Sequence, residues 1–256
     1  MDEIVLSPDK SVIRQGNVVL RPAGPWTPSV HSFLRHLQSS GFTEAPSIVG
    51  SGVDAEGRET LSFVAGEFVH PGPWSDAALV QVGQMLRRLH NTSEAFQPTA
   101  DAEWKPWFLQ KLGGSRLVIS HGDVAPWNVV TRDGMPVALI DWEFVGPVDP
   151  LMELARVCWL FPQLHDDDVA ERVGLPALDV RARQLRLLVD AYEASAAERH
   201  ELLDRIVEVV VCETAEEAIE QKITPDCQGP LWGLAWRARA AAWILRNRVV
   251  LRNTLE

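Results

Sequence analysis

The sequence has few basic residues and no long apolar run. Its 24 lysines and arginines stand against 35 acidic residues, which gives a formal net charge of -11. Such a chain lacks the basic face with which proteins hold nucleic acid or anionic membranes, so we expect neither partner. No apolar run approaches the roughly 18 residues of a membrane span. The acidic start, residues 1–4, also lacks the basic region of a signal peptide.

Cysteine is scarce and shows no pattern. Cys158, Cys212 and Cys227 are widely spaced, odd in number and without a CxxC pair. They predict neither a disulfide framework nor a zinc site, but reduced thiols in a cytoplasmic protein. A length of 256 residues, 46% of them hydrophobic, is enough for one large domain or for two lobes around a shared cleft.

The order of predicted strands and helices divides the chain near residue 67. Before it, paired apolar runs flank turns at 15–17 and 54–57, which predicts two strand pairs, and one helix begins at 27–28. Beyond the Gly- and Pro-rich stretch 66–73, 3.6-residue periodicity predicts helices over 76–90, 151–160, 182–194, 198–221 and 231–250. We therefore expect an α+β protein with a small β-rich N-lobe, residues 1–67, and a larger, mainly helical C-lobe, residues 68–256.

Polar residues in the segment 119–143 stand where a buried core does not need them. Asp123 comes after an apolar strand, Asn128 follows five residues later, and Asp141 ends the next strand. A His-x-Asp-x4-Asn loop before a strand-terminal Asp is typical of phosphoryl transfer. In that chemistry one carboxylate accepts the proton of the attacking hydroxyl, while amide and carboxylate oxygens hold magnesium. Each residue alone is equally typical of a turn or a cap, so the joint spacing carries the interpretation.

Two motifs in this segment resemble those of a known family. HGDVAPWN, residues 121–128, and LIDWE, residues 139–143, resemble the HGDxxxxN and IDxE signatures of the aminoglycoside phosphotransferase and choline kinase family, relatives of the protein kinases. The resemblance implies a two-lobed protein-kinase-like fold and transfer of the γ-phosphoryl group of ATP, with Mg2+, to a hydroxyl of a small molecule. It also implies a role for each of five residues: Asp123 as catalytic base, His121 as a catalytic-loop residue that orients the backbone, Asn128 and Asp141 as magnesium ligands, and Glu143 as a second-sphere or second-metal acid.

The N-lobe departs from the family in the groups that hold the nucleotide. It has no glycine-rich phosphate loop, and its one lysine, Lys10, lies well before the strand that carries the family's lysine. Arg21, at the end of the 18–20 run, is the predicted substitute, because its planar guanidinium can hold phosphate, and Arg14 is the competing candidate. His31 lies near the place of the family's helix glutamate.

The adenine site is implied by position alone. In the family's fold adenine bonds to the backbone of a hinge between the lobes, which corresponds here to residues 62–67. We therefore expect Val64, Gly66 and Glu67 to contact the nucleotide.

The acceptor is indicated by charge and by family. Between residues 190 and 226 eleven acids face three basic residues, which a solvated helix face also explains. Because late helices wall the acceptor pocket in the resembling enzymes, we expect a cationic acceptor, aminoglycoside-like or an amino alcohol. A choline, ethanolamine or homoserine kinase and a pseudokinase-type binder without turnover remain alternatives. Trp127 and Trp142 are candidates for the pocket wall, whereas the helical spacing of Trp232, Trp236 and Trp243 predicts core positions.

Overall fold

The computed structural model describes residues 3–8, 10–114, 116–226 and 231–256. Cys158 and Cys212 are free thiols, whereas Cys227 lies outside the described residues. In the described part of the chain no helix is both long enough and apolar enough to cross a membrane.

The first part of the chain forms an antiparallel sheet in the order β1-β2-β3-β5-β4. Its strands are β1 (Glu3–Ser7), β2 (Val12–Gln15), β3 (Val18–Pro22), β4 (Ile48–Val53) and β5 (Arg58–Ser62). The two predicted pairs are present, but the sequence analysis does not predict β1. That strand is five residues long and lies at the sheet edge, where Ile4, Val5 and Leu6 are exposed, so it lacks the alternating pattern of a half-buried strand.

Two short strand pairs and the helices form the rest of the molecule. The pairs are β6 (Val118–Ser120) with β9 (Gly146–Val148), and β7 (Val129–Arg132) with β8 (Met135–Leu139). The helices are α1 (Thr27–Ser39), α2 (Asp76–Ser93), α3 (Pro150–Leu160), α4 (Asp167–Arg172), α5 (Leu178–Tyr192), α6 (Ala196–Glu220), α7 (Trp232–Arg246) and α8 (Arg248–Leu255). This small antiparallel sheet and larger helical part confirm the predicted α+β class, while the exact boundary at residue 67 stays a prediction.

One predicted helix is two helices. The periodic stretch 231–250 is interrupted at Asn247, which ends α7 and precedes α8. Its side-chain Nδ2 donates to the carbonyl of Trp243 at 2.9 Å. An asparagine that bonds the backbone in this way competes with the regular helical hydrogen bonds, and periodicity alone does not reveal it.

The buried helix α3 fixes the position of the candidate site. α6 packs against it, and α2 packs against α5. Asp149 caps α3 by accepting the backbone N–H of Leu151 at 2.8 Å, and it also accepts that of Gly114 at 2.7 Å. Residues of α3 reach from this core to the loop between β6 and β7, which carries the predicted catalytic residues.

Candidate active site

His121 organises the loop between β6 and β7 from inside the protein. Its Nδ1 accepts the backbone N–H of Asp123 at 3.2 Å, and its Nε2 donates to the carbonyl of Ile140 at 3.0 Å. Burial lowers the pKa of His121, so the ring is neutral, as this pairing of one acceptor and one donor requires. Both nitrogens are bonded to backbone groups, so the geometry makes His121 a positioning residue rather than a group that touches substrate.

Asp123 is buried, and each of its two carboxylate oxygens has a partner. The Nδ2 of Asn128 donates to its Oδ2 and to its backbone carbonyl, both at 2.9 Å, and a guanidinium nitrogen of Arg156 lies 2.9 Å from its Oδ1. Burial raises the pKa of Asp123 to about 6, although Arg156 opposes the shift. Near neutral pH the carboxylate is therefore mostly ionised and yet basic enough to accept a proton.

Arg156 is a site residue that the sequence analysis missed. It lies on α3 and bonds Glu213 of α6 through Nε at 2.8 Å and through a second nitrogen at 3.2 Å. The side chains of Asp123, Arg156 and Glu213 are all buried. In the sequence Glu213 is one of eleven acids on an apparently solvated helix face. The one signal for Arg156 is a lone arginine in the apolar segment that becomes α3.

Asp141 lies beside this loop, at the end of β8. Its φ of 64° is in the left-handed region, which is sparsely populated outside glycine and often marks functional sites. The backbone N–H of Ile140 donates to the carbonyl of Asn128 at 2.9 Å, which joins the two predicted magnesium ligands through adjacent backbone. The structure thus brings together the candidate base Asp123 and the two predicted magnesium ligands, as the strand order predicts.

Two basic side chains, one on β3 and one in the turn between β1 and β2, bond to the Asp141 carboxylate. Arg21 donates to its Oδ1 at 2.8 Å, and Lys10 donates to its Oδ2 at 2.8 Å. Although burial acts in the opposite direction, these two cations hold the pKa of Asp141 below its ordinary value. Asp141 is therefore a carboxylate near neutral pH.

Arg21 belongs to a buried chain of ion pairs. Directly opposite it across the β3–β5 ladder stands Glu59, which pairs with its Nε. The other oxygen of Glu59 lies 2.9 Å from Nε2 of His31 on α1. The acid that pairs with Arg21 thus lies on a strand and not on the helix, and His31 of the helix bonds its other oxygen. Sequence reasoning missed Glu59 because the register of β3 against β5 cannot be read from spacing.

Lys10 lies much closer to the site than its place in the sequence suggests. It belongs to the turn between β1 and β2. Its Nζ bonds Asp141 and also lies 2.9 Å from Oε1 of Glu143. Lys105 bonds the other oxygen of Glu143 at 2.6 Å. The sequence does not predict β1, and it therefore does not predict that the turn after β1 brings Lys10 to Asp141. Two lysines thus hold the carboxylate of Glu143. Its predicted role at a metal stays a prediction.

A cleft of about 400 Å³ opens between the sheet and the catalytic loop. Arg21, Val64 and Gly66 line it, together with Asn128 and Asp141, among others. These are five of the predicted site residues, and they surround one space large enough for a small ligand.

Glu67 differs from the other predicted hinge residues. Its N–H donates to the carbonyl of Thr131 at 2.9 Å, and its carbonyl accepts the N–H of Thr131 at 2.8 Å. Both backbone groups are therefore used, and Glu67 is not among the described residues that line the cleft. The adenine contact predicted for Glu67 stays a prediction without support from the cleft lining, whereas Val64 and Gly66 line the cleft.

Asn128 and Asp141 suit a hard cation. No group of three or more His, Cys, Asp or Glu side chains that could hold a metal occurs within the described residues. Magnesium, however, needs only one or two protein carboxylates besides water and phosphate oxygens. Because Nδ2 of Asn128 donates to Asp123, its Oδ1 remains as an acceptor, and each oxygen of Asp141 has a second lone pair. The donor set fits Mg2+.

A second cavity, of about 320 Å³, lies on the other side of the catalytic loop. Trp127, which the sequence marks as a candidate for the pocket wall, lines both cavities. Trp142, the other candidate, is fully buried against the ring of His121. Trp232 and Trp236, predicted as core, instead line this second cavity, and Trp243 alone of the three is buried.

The loop depends on a buried carboxylate of α3. Glu153 accepts the backbone N–H of Gly122 at 2.6 Å, the hydroxyl of Ser120 at 2.6 Å and Nε2 of His90 at 2.7 Å. Burial by itself would raise the pKa of Glu153, but the bond from His90 and the other partners lower it. A group whose pKa is lower in the folded protein contributes stability above its unfolded pKa and loses it as the pH falls through the folded value.

We expect acid to destabilise the protein partly through Glu153. The free energy of unfolding should fall with decreasing pH below about pH 5, and the Glu153→Gln variant should be less stable at pH 7 and show a flatter dependence in this range. Urea unfolding at a series of pH values measures both quantities. Glu94→Gln, at an exposed glutamate, is the control, and equal pH slopes for the wild type and Glu153→Gln would contradict the assignment.

Comparison with known proteins shows the family of the chain. The sequence model of the phosphotransferase enzyme family matches residues 94–183. The chain is 51% identical over 258 residues to the trifolitoxin immunity protein of Rhizobium leguminosarum bv. trifolii, with 99% of both chains covered.

Solved structures show the same fold at low identity. A microcompartment-associated aminopropanol kinase superposes with a TM-score of 0.63 at 12% identity, over 96% of this chain and 90% of the other. A choline/ethanolamine kinase family protein from Mesorhizobium loti gives 0.58 at 18% identity, over 94% and 89%. At these identities the likeness concerns the fold alone.

Proposed function

Because the chain belongs to the phosphotransferase enzyme family, we propose that it transfers the γ-phosphoryl group of ATP to a hydroxyl of a small molecule. One observation carries the proposal. Asn128 bonds the base candidate Asp123, the residue before Asp141 bonds the backbone of Asn128, and both Asn128 and Asp141 line the larger cleft. In-line phosphoryl transfer requires positioning and charge neutralisation more than covalent chemistry, and this group supplies both.

The larger cleft is the proposed nucleotide site. Val64 and Gly66 line it at the predicted hinge, and Arg21 and Lys10 bring positive charge to its other side. These two cations, which bond Asp141 here, are placed to share their charge with the phosphates of a bound nucleotide. Asn128 and Asp141 would hold Mg2+, which when bound neutralises phosphate charge.

Asp123 is the proposed catalytic base. Arg156 and Asn128 hold its carboxylate in one orientation, so that it can accept the proton of an acceptor hydroxyl. Its pKa of about 6 keeps it ready for that step near neutral pH.

The test of this proposal is phosphoryl transfer itself. The protein is incubated with Mg2+ and ATP labelled at the γ position, together with a panel of hydroxylated small molecules, and labelled products are separated from ATP and phosphate. We expect a labelled acceptor or, with no suitable acceptor, slow hydrolysis. The absence of both, with ATP bound, would favour the pseudokinase alternative.

Arg21→Ala should weaken ATP binding and leave metal binding at Asn128 and Asp141 in place. The loss of a charge-assisted contact to phosphate costs about 1.5 to 3 kcal/mol. Arg21→Lys retains the charge and should bind ATP with intermediate affinity. Nucleotide titration by calorimetry measures the change.

Arg14→Ala is the matched control for Arg21. Arg14 lies on the neighbouring strand, where its guanidinium stacks on Phe63 at 3.6 Å from the ring centroid. It is not among the described residues that line the cleft. Equal ATP affinity in Arg21→Ala and the parent protein would show that phosphate is held by other groups.

The predicted cationic acceptor lacks support from the cavity walls. The described acids between residues 190 and 226 line neither cavity, and several of them are paired with arginines. Examples are Glu213 with Arg156, and Asp204 with Arg248. The acceptor is therefore proposed as a small-molecule alcohol without a requirement for positive charge.

Protection against a toxin is a second candidate function, favoured by the 51% identity to a trifolitoxin immunity protein. Expression of the chain in a trifolitoxin-sensitive strain tests it directly. Survival with the wild type but not with Asp123→Asn would indicate protection by phosphoryl transfer. Survival with both would indicate protection by binding, and sensitivity with both would exclude this function.

A further inference from the structure

The second cavity has aromatic walls. Trp127, Trp232 and Trp236 line it, together with His70 and His165. Trp236 stacks on the buried Trp159 with the two centroids 5.2 Å apart, and the ring of His165 meets Trp236 edge-on at 5.2 Å. This packing holds the cavity's inner wall in place. Trp232, on the outer wall, is 51% exposed.

The walls also carry almost no net charge. Burial lowers the pKa of His165 to about 4 and also lowers that of His70, so both rings are neutral at pH 7. The one charged lining residue of the described chain, Arg237, pairs with Glu217 and lies 3.6 Å from Glu213. Those carboxylates lie behind the arginine and do not line the cavity. A cationic ligand would therefore find no counter-charge here, and an anionic one would find a charge already neutralised.

Trp127 connects this cavity with the catalytic base. Its ring lies 5.9 Å from the guanidinium carbon of Arg156, which in turn bonds Asp123 at 2.9 Å. Trp127 also lines the larger cleft, next to Asn128. The Trp127 ring and the Arg156 guanidinium therefore lie between a molecule in this cavity and the base, and the two cavities adjoin at Trp127.

We propose that the second cavity binds the acceptor, and that this acceptor is an uncharged alcohol bearing an aromatic ring. Flat rings match the Trp walls, because aromatic pairs gain free energy beyond their buried area. The 320 Å³ of the cavity suits a small molecule of this kind. The word acceptor in this assignment rests on the proposed phosphoryl transfer. The binding itself can be measured without ATP.

The test compares two ligand classes in the absence of nucleotide. Uncharged aromatic alcohols, from benzyl alcohol to coniferyl alcohol, are compared with choline and kanamycin by ligand-detected saturation-transfer NMR, and affinities are measured for the ligands that bind. Trp232→Ala should weaken the aromatic alcohols about tenfold. Leu231→Ala, at an equally exposed neighbour that does not line the cavity, should leave them unchanged.

Each result decides one question. Binding of choline or kanamycin in preference to the aromatic alcohols overturns the assignment, as does a panel in which no aromatic alcohol binds, or equal affinities in Trp232→Ala and Leu231→Ala. When aromatic alcohols bind but no alcohol of the panel receives phosphate from ATP, the proposed function fails while the ligand class stands. When phosphate is transferred to a cationic alcohol instead, the proposed function stands and the ligand class fails.

Discussion

Asp123→Asn will lower the rate of phosphoryl transfer by about two to four orders of magnitude while ATP binding stays nearly unchanged. An amide has almost the shape of the carboxylate and can still bond Asn128, but it cannot accept the proton of the attacking hydroxyl. The rate is measured as label passed from γ-labelled ATP to acceptor or, without an acceptor, to water. ATP affinity is measured on the same preparation by calorimetry.

Asp133→Asn is the matched control for this variant. Asp133 lies ten residues further along, in the exposed turn between β7 and β8, and its φ of 50° is one that asparagine tolerates. This variant should transfer phosphate like the parent protein. A rate in Asp123→Asn equal to that of Asp133→Asn would show that Asp123 is not the base.

Arg156→Met will destabilise the protein by about 3 to 5 kcal/mol. The substitution fills the space of the side chain with an apolar one but leaves the buried Asp123 carboxylate without its counter-charge, and it leaves Glu213 with only Arg237, at 3.6 Å. Adding Glu213→Gln to this variant should recover part of the loss, because one of the two weakly compensated buried charges is then removed. Urea unfolding of the single and double variants gives the free energies.

The control for Arg156 is an arginine at the surface. Arg205 forms ion pairs with Glu201 and Glu208 on the exposed side of α6, and Arg205→Met should cost about 1 kcal/mol or less. If Arg156→Met is no more destabilising than this control, the buried ion pairs do not hold Asp123 in place.

The sequence predicts the parts of the site that lie within one continuous segment. Asp123, Asn128 and Asp141 are separated by a loop and a hairpin, so their spacing alone nearly determines that they meet. Arg21 could be placed as well, because it ends a recognisable strand. For these residues the local geometry of the chain is sufficient to predict their positions.

The residues that sequence reasoning misses meet only through tertiary structure. Glu59 faces Arg21 because of a strand register, and Arg156 reaches Glu213 because α3 packs on α6. Lys10 reaches Asp141 through a turn whose first strand is too short and too exposed to predict. Trp232 has the spacing of a core residue yet faces a cavity, since periodicity identifies the apolar face of a helix but not what that face contacts.

The measurement that bears most directly on the proposed phosphotransferase site is the thermal stability of the protein with ATP, with and without Mg2+, in the wild type and in Asp141→Asn. A ligand that binds only the folded state stabilises it by RT ln(1 + c/Kd), where c is the free ligand concentration, so the melting temperature rises further for a tighter or more concentrated ligand. We expect a larger rise with ATP and Mg2+ together than with either alone, and we expect the magnesium-dependent part to vanish in Asp141→Asn. A melting temperature that ATP does not change, or that rises equally with and without Mg2+, would contradict the assignment of the cleft as a metal–nucleotide site.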